Sequence, residues 1–143
     1  MEGSLKHRDL TDKIIGVFYE VYNELGFGFL ESVYENAMVI ALEEKGLKVE
    51  RQVLIPVWFR GRPIGTFAAD LVVECAVILE LKAVTRLIEA HVAQLMHYLR
   101  ATQIEVGLVM NFGQQPEFKR RVYENARKGS ADPKLPLSED LFS

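Results

Sequence analysis

Residues 106–111 read VGLVMN, a run with no charge and no alternation of apolar and polar positions. A strand with one wet face alternates, whereas a strand buried on both faces does not. Such a strand needs a layer packed on each side, so this segment reads as the central strand of a covered sheet. A helical stripe precedes it, formed by Ile88, Val92, Leu95 and Leu99 within about 87–101. A helix leading into a buried strand carries the chain back across the sheet, so this strand is expected to run parallel to an earlier one.

The earlier part of the chain supplies the other elements. Leu10, Ile14, Val17, Phe18, Val21 and Leu25 recur at three- and four-residue spacing, one face of a helix ended by Gly26. A second helix is expected over about 30–45, with Leu30, Val33, Ala37, Ile40 and Ala41 inward and Gly46 stopping it. Three strand-like segments follow at 49–59, 64–73 and 77–83, joined by Gly61-Arg62-Pro63 and Glu74-Cys75-Ala76. Connections this short favour antiparallel neighbours. Pro56 marks the first strand as an edge or a bulge. The basic stretch after Pro116 predicts a final helix ending near residue 127. The expected order is α-α-β-β-β-α-β-α, a mixed central sheet of about four strands flanked by helices. Residues 1–128 form a single domain, followed by GSADPKLPLSEDLFS (129–143), a loosely ordered tail.

Composition excludes several classes. A chain of 143 residues buries enough surface to fold without disulfides. The lone Cys75 rules out a disulfide framework or a multi-cysteine zinc site and makes a reducing, cytoplasmic setting the default. No apolar run approaches the roughly 20 residues that span a bilayer, so no membrane partner is expected. The N-terminal MEGSLKHRDL lacks the apolar core of a signal peptide. The net charge of −3 argues against coating nucleic acid by bulk charge. Residues 129–143 hold one basic and three acidic residues, so 1–128 carry 16 basic against 17 acidic. The domain itself is therefore nearly neutral, and any recognition of nucleic acid falls to a local site.

The chemistry-bearing residues concentrate on the second and third strands. Asp70 lies in FAADLVV, and Glu80 and Lys82 lie in VILELK. Residues two apart on a strand share a face, so Glu80 and Lys82 project together. Pairing through the 74–76 turn puts Asp70 within one or two positions of Glu80. The bland reading is a cross-strand ion pair with Lys82. Against it, two carboxylates side by side repel, and one ammonium neutralises only one of them. A divalent cation with oxygen ligands satisfies both, and the Leu81 backbone carbonyl between Glu80 and Lys82 adds a further oxygen.

Weaker signals lie elsewhere. Glu31 and Tyr34 share a helix face behind Gly28; Glu31 also suits the positive end of a helix dipole, and Tyr34 a core edge. His91, Gln94 and Tyr98 form one stripe on the third helix, either lining a site or simply a polar face. His91 and His97 are six apart and do not form an i, i+4 metal pair. Lys119, Arg120 and Arg121 begin a segment, 117–128, with five basic and two acidic residues. This is either a set of phosphate contacts or a solvated helix with a basic C-terminal end.

Taken together, Gly28-x-x-Glu31-x-x-Tyr34, Asp70, Glu80-Leu81-Lys82, Gln94-Leu95-x-x-Tyr98-Leu99 and Asn111-Phe112-Gly113 resemble the GxxExxY protein family, a branch of the PD-(D/E)XK nuclease-like superfamily. The resemblance spans about 10–127. It implies a restriction-endonuclease-like core and a Mg²⁺- or Mn²⁺-dependent nuclease. Asp70, Glu80 and the Leu81 carbonyl would be metal ligands, with Glu31 as an additional acid. Lys82 would be the active-site lysine, and Gln94 the glutamine that follows the ExK strand. Ala69 stands where the superfamily's name has Pro. In such a site the metal would lower the pKa of a bound water and orient a phosphodiester. Lys82 would stabilise developing charge, a role better supported than general base. The implied substrate is nucleic acid, DNA before RNA. By analogy, a nuclease this small that cuts both strands would act as a homodimer. The alternative is a non-catalytic nucleic-acid-binding or protein-interaction module that keeps the fold. A third reading is a structural ion-pair network in an unrelated α/β domain, which a strand order separating Asp70 from Glu80 by more than one strand would support.

Overall fold

The VGLVMN segment is buried throughout and forms most of β4 (Val106–Phe112), the fourth strand of a five-stranded sheet. The computed structural model describes residues 6–128. Two helices, α1 (Arg8–Leu25) and α2 (Glu31–Glu44), precede β1 (Val49–Phe59), β2 (Arg62–Val73) and β3 (Val77–Lys82). Then come α3 (Glu89–Ala101), β4, β5 (Pro116–Val122) and a 3-10 turn at Asn125–Arg127. The strands lie in chain order, β1-β2-β3-β4-β5. Only β3 and β4 pair in parallel, because α3 carries the chain back between them. The tail expected over 129–143 lies outside the described residues. Among those described, no helix is long and apolar enough to cross a membrane.

Each face of the sheet has its own core. On one, α1 and α2 bury Ile14, Phe18, Tyr34, Met38 and Leu42 against Leu71, Leu79, Leu81, Leu108 and Met110. On the other, Leu95, Tyr98 and Leu99 of α3 cover Val53, Ile55, Ala69, Ile78 and Val109. Gly107 lets α3 approach, since a Cβ there would stand 2.5 Å from Leu95 Cδ1.

Two expectations need correction. The segment after Pro116 is not a helix but β5, antiparallel to β4, so the sheet has five strands rather than about four. Its period is two: Phe118 and Val122 pack on the α1–α2 core, while Lys119 falls between them and is exposed. The bonds β5 makes also close an edge that β4 would otherwise leave open. The inner stripe of α2 is not Leu30, Val33 and Ile40, which are exposed, but Tyr34, Met38 and Leu42 with Val39. That stripe keeps the same four-residue spacing with its phase set by Tyr34.

The sheet's faces exchange at one place. Leu71 lies in the α1–α2 core, yet Ala69, two residues before it, lies in the α3 core. On β1, Arg51 reaches α2 through Asn36 at 2.8 Å, while Val53 packs under α3. A regular strand keeps residues i and i+2 on one face, so both strands twist between these positions. The register passes from Arg51↔Leu71 to Val53↔Ala69 with Gln52 and Asp70 opposite each other between them. Gln52 sits there with φ 48, in the left-handed region.

Candidate active site

Beyond that twist β2 parts from β3, whose pairing ends at Leu71↔Leu79. Asp70 and Glu80 stand opposite each other at the mouth of the split, and their carboxylates replace the missing ladder bonds. The Asp70 N–H donates to Glu80 Oε2 at 3.0 Å, and the Leu81 N–H donates to Asp70 Oδ2 at 2.7 Å. The two acids are therefore on adjacent strands and locked to each other's backbone, not set apart by more than one strand. The N–H and C=O of a strand residue point to the same side. The Leu81 carbonyl thus opens on the split that its N–H faces.

Both acids pay electrostatically for this position. Burial pushes the Glu80 carboxyl up to about 8, and the neighbouring Asp70 charge adds to the rise. The Asp70 N–H and the Lys82 ammonium oppose it, and Glu31 reinforces it. Asp70 is also raised, by burial first, while the Leu81 N–H, Lys82 and Gln52 pull it back. Tyr98 is pushed up to about 12, chiefly by burial and then by the charges of Glu80 and Asp70. The donor set fits a divalent metal: a cation between the two carboxylates would let both ionise at neutral pH. Among the described residues, no group of three or more His, Cys, Asp or Glu converges as a ready metal cage. Glu31 is exposed in the first turn of α2, with its charge felt at Glu80.

Lys82 ends β3 and donates to Gln94 Oε1 of α3 at 3.3 Å. Gln94 thus holds the ammonium on the α3 side of the sheet. His91 is engaged locally, its Nδ1 accepting the Ile88 N–H at 3.1 Å at the start of α3. Tyr34, a possible site neighbour, lies in the α1–α2 core. It is fully buried, stacks on Phe112 at 4.1 Å, donates to Gly26 O at 2.6 Å and accepts from Phe29 N–H at 3.2 Å. It ties down the 26–30 loop, in which Gly28 has φ 112, and so fixes where α2 begins and where Glu31 stands.

The Asn111-Phe112-Gly113 segment braces the loop that links Lys82 to α3. Asn111 is buried; its Oδ1 accepts the Val84 N–H and its Nδ2 donates to Val84 O, both at 2.9 Å. Glu117 on β5 adds a bond to the same amide at 3.3 Å and accepts the Leu87 N–H at 2.6 Å.

The basic trio is divided by β5. Arg120 turns to the α1 side, bonding Thr11 Oγ1 at 3.2 Å and the Lys6 carbonyl, away from the carboxylate pair. Arg121 bonds the Arg120 carbonyl at 2.9 Å, and Lys119 is exposed. A helix would have grouped them; a strand sends neighbours to opposite faces. Sequence reasoning missed Gln52 and Glu117. Nothing local marks Glu117, and only its position eighteen residues before Asp70, on the partner strand of a hairpin, points to Gln52.

A mixed sheet with helices on both faces, split beside an Asp–Glu pair with a lysine on the same strand edge, defines the class of protein: a two-carboxylate α/β domain of restriction-endonuclease type. Residues 8–122 match the family model of the PD-(D/E)XK nuclease superfamily, and the chain belongs to that superfamily. No curated protein and no solved structure matches the chain.

Proposed function

We propose that the protein is a metal-dependent nuclease that hydrolyses phosphodiester bonds in nucleic acid, with DNA as the preferred substrate, and that it falls in the GxxExxY branch of its superfamily. The observation that carries this reading is the Asp70–Glu80 pair at the strand split, with Lys82 held beside it by Gln94. Asp70, Glu80 and the Leu81 carbonyl would hold Mg²⁺ or Mn²⁺, with Glu31 assisting from the start of α2. Bound there, the metal supplies Lewis-acid polarisation of the phosphate and a lowered pKa for water. Lys82 presents its ammonium to the phosphate and stabilises the charge that develops on it. Gln94 keeps that ammonium in place. Asp70 and Glu80 fix each other through the crossed backbone bonds, so the ligands are pre-set rather than ordered on binding.

The test is a Mn²⁺-dependent cleavage panel over single-stranded, duplex, flap and junction DNA and over RNA. Lys82→Ala and Asp70→Ala are expected to lower cleavage by at least about 100-fold. Variants that cut as well as the wild type would sink the proposal.

A further inference from the structure

Beyond the split, β1 and β2 continue as a two-stranded arm. β2 pairs with β3 only over Leu71–Val73, while its pairing with β1 runs on to Phe59↔Arg62. The base of the arm is covered by α3; its far part is not. Phe59 is 51% exposed, Ile64 64% and Phe67 37%. Residues 53–69 contain two arginines, Arg60 and Arg62, and no acidic residue, in a chain whose net charge is −3; Arg51, before the split, is held by Glu35 and Asn36 of α2. The Arg60 guanidinium lies over the Phe59 ring at 4.8 Å. The Phe67 ring lies 5.1 Å from that of Tyr98 on α3. Exposed rings thus stand along the arm, with the two arginines at its tip and Phe67 meeting α3 at its base.

We infer that the β1–β2 arm grips single-stranded nucleic acid, stacking unpaired bases on Phe59 and Phe67 and pairing phosphates with Arg60 and Arg62. This rests on the nuclease reading and names its substrate class. The arm's charge complements a polyanion. Its rings favour the single strand, because stacking needs a free base face, which a duplex hides. Two arginines are also few for duplex binding, where affinity grows with the number of phosphates neutralised.

The test is fluorescence anisotropy of labelled oligothymidylate of about 20 nucleotides with the full chain, in EDTA so that binding is read without cleavage. Trp58, the one tryptophan, gives a second signal from within the arm. Phe59→Ala is expected to weaken binding about tenfold, Arg60→Ala with Arg62→Ala by a similar factor, and Phe59→Tyr by no more than about twofold. Circular dichroism and melting confirm that each variant is folded. The inference is overturned if the wild type does not bind, if a duplex of equal length binds as tightly, or if folded Phe59→Ala binds unchanged. It also falls if the arm instead makes a dimer that Phe59→Ala dissociates. Strand binding through the arm by a protein that cleaves nothing would refute the nuclease reading and leave the arm standing.

Discussion

Asp70 and Glu80 are cross-bonded: the backbone N–H of Asp70 donates to the Glu80 carboxylate at 3.0 Å, and the Asp70 carboxylate accepts from Leu81, the next residue after Glu80, at 2.7 Å. Each acid thereby completes the other's strand at the point where the sheet opens. The same bonds fix two carboxylates in a buried place, where ionisation is resisted.

That resistance predicts a pH dependence of stability. The Glu80 carboxyl is pushed from 4.5 to about 8 in the native state. Between those values the folded protein keeps a proton that the unfolded chain has released, so stability falls as pH rises through this window. Below about 4.5 the contribution is fully present, and above about 8 it is lost. The loss is on the order of 3–5 kcal/mol. Melting of the metal-free protein from pH 5 to 8.5 is expected to show a falling Tm, and Glu80→Gln is expected to flatten the curve. Parallel curves for the two proteins would contradict the assignment.

A divalent cation is expected to reverse this penalty. At pH 8, Mn²⁺ at about 100 times its dissociation constant stabilises the native state by about 2.7 kcal/mol. The wild-type Tm therefore rises with Mn²⁺ concentration, while those of Asp70→Asn and Glu80→Gln do not. Scanning calorimetry reads this independently of cleavage. An equal rise in all three proteins would place the cation elsewhere.

Tyr34→Phe removes a hydroxyl bonded to Gly26 O at 2.6 Å and to Phe29 N–H at 3.2 Å, while sparing the ring stacked on Phe112. Leaving these backbone groups unpaired costs about 1–2 kcal/mol. The Tm is expected to drop by a few degrees, and exchange of the Phe29 amide is expected to speed up. An unchanged amide would mean that the loop is held by other contacts.

Much of this architecture was legible in the residues. VGLVMN read as a covered strand, and the 74–76 turn placed Asp70 within one or two positions of Glu80. The failures have physical causes. The segment after Pro116 mixes charges with few apolar residues, and its strand period becomes visible only once the open edge of β4 is known. The phase of α2 depended on Tyr34, a polar-tipped residue whose hydroxyl is satisfied by a loop eight residues back. The twist at Gln52 and Asp70 leaves no mark in the pattern, because it arises where two strands change the layer that they face.

Gly113 and Gly107 offer a final comparison. A Cβ on Gly113 would stand 2.4 Å from the Val84 carbonyl oxygen and 2.9 Å from Asn111 Nδ2, both parts of the clamp on the loop after Lys82. Backbone cannot swing aside, so Gly113→Ala must displace that loop. A Cβ on Gly107 meets Leu95 Cδ1 at 2.5 Å, the end of a side chain that can rotate at some packing cost. Both substitutions overpack the domain, by about 1–3 kcal/mol. Only the first strikes the backbone of the link between Lys82 and the helix bearing Gln94. Gly113→Ala is therefore expected to lose at least about tenfold more cleavage than Gly107→Ala at a temperature where both are folded. Melting curves and single-turnover cleavage measured side by side test this. Equal activity at equal stability would remove the loop from the set of elements that position Lys82.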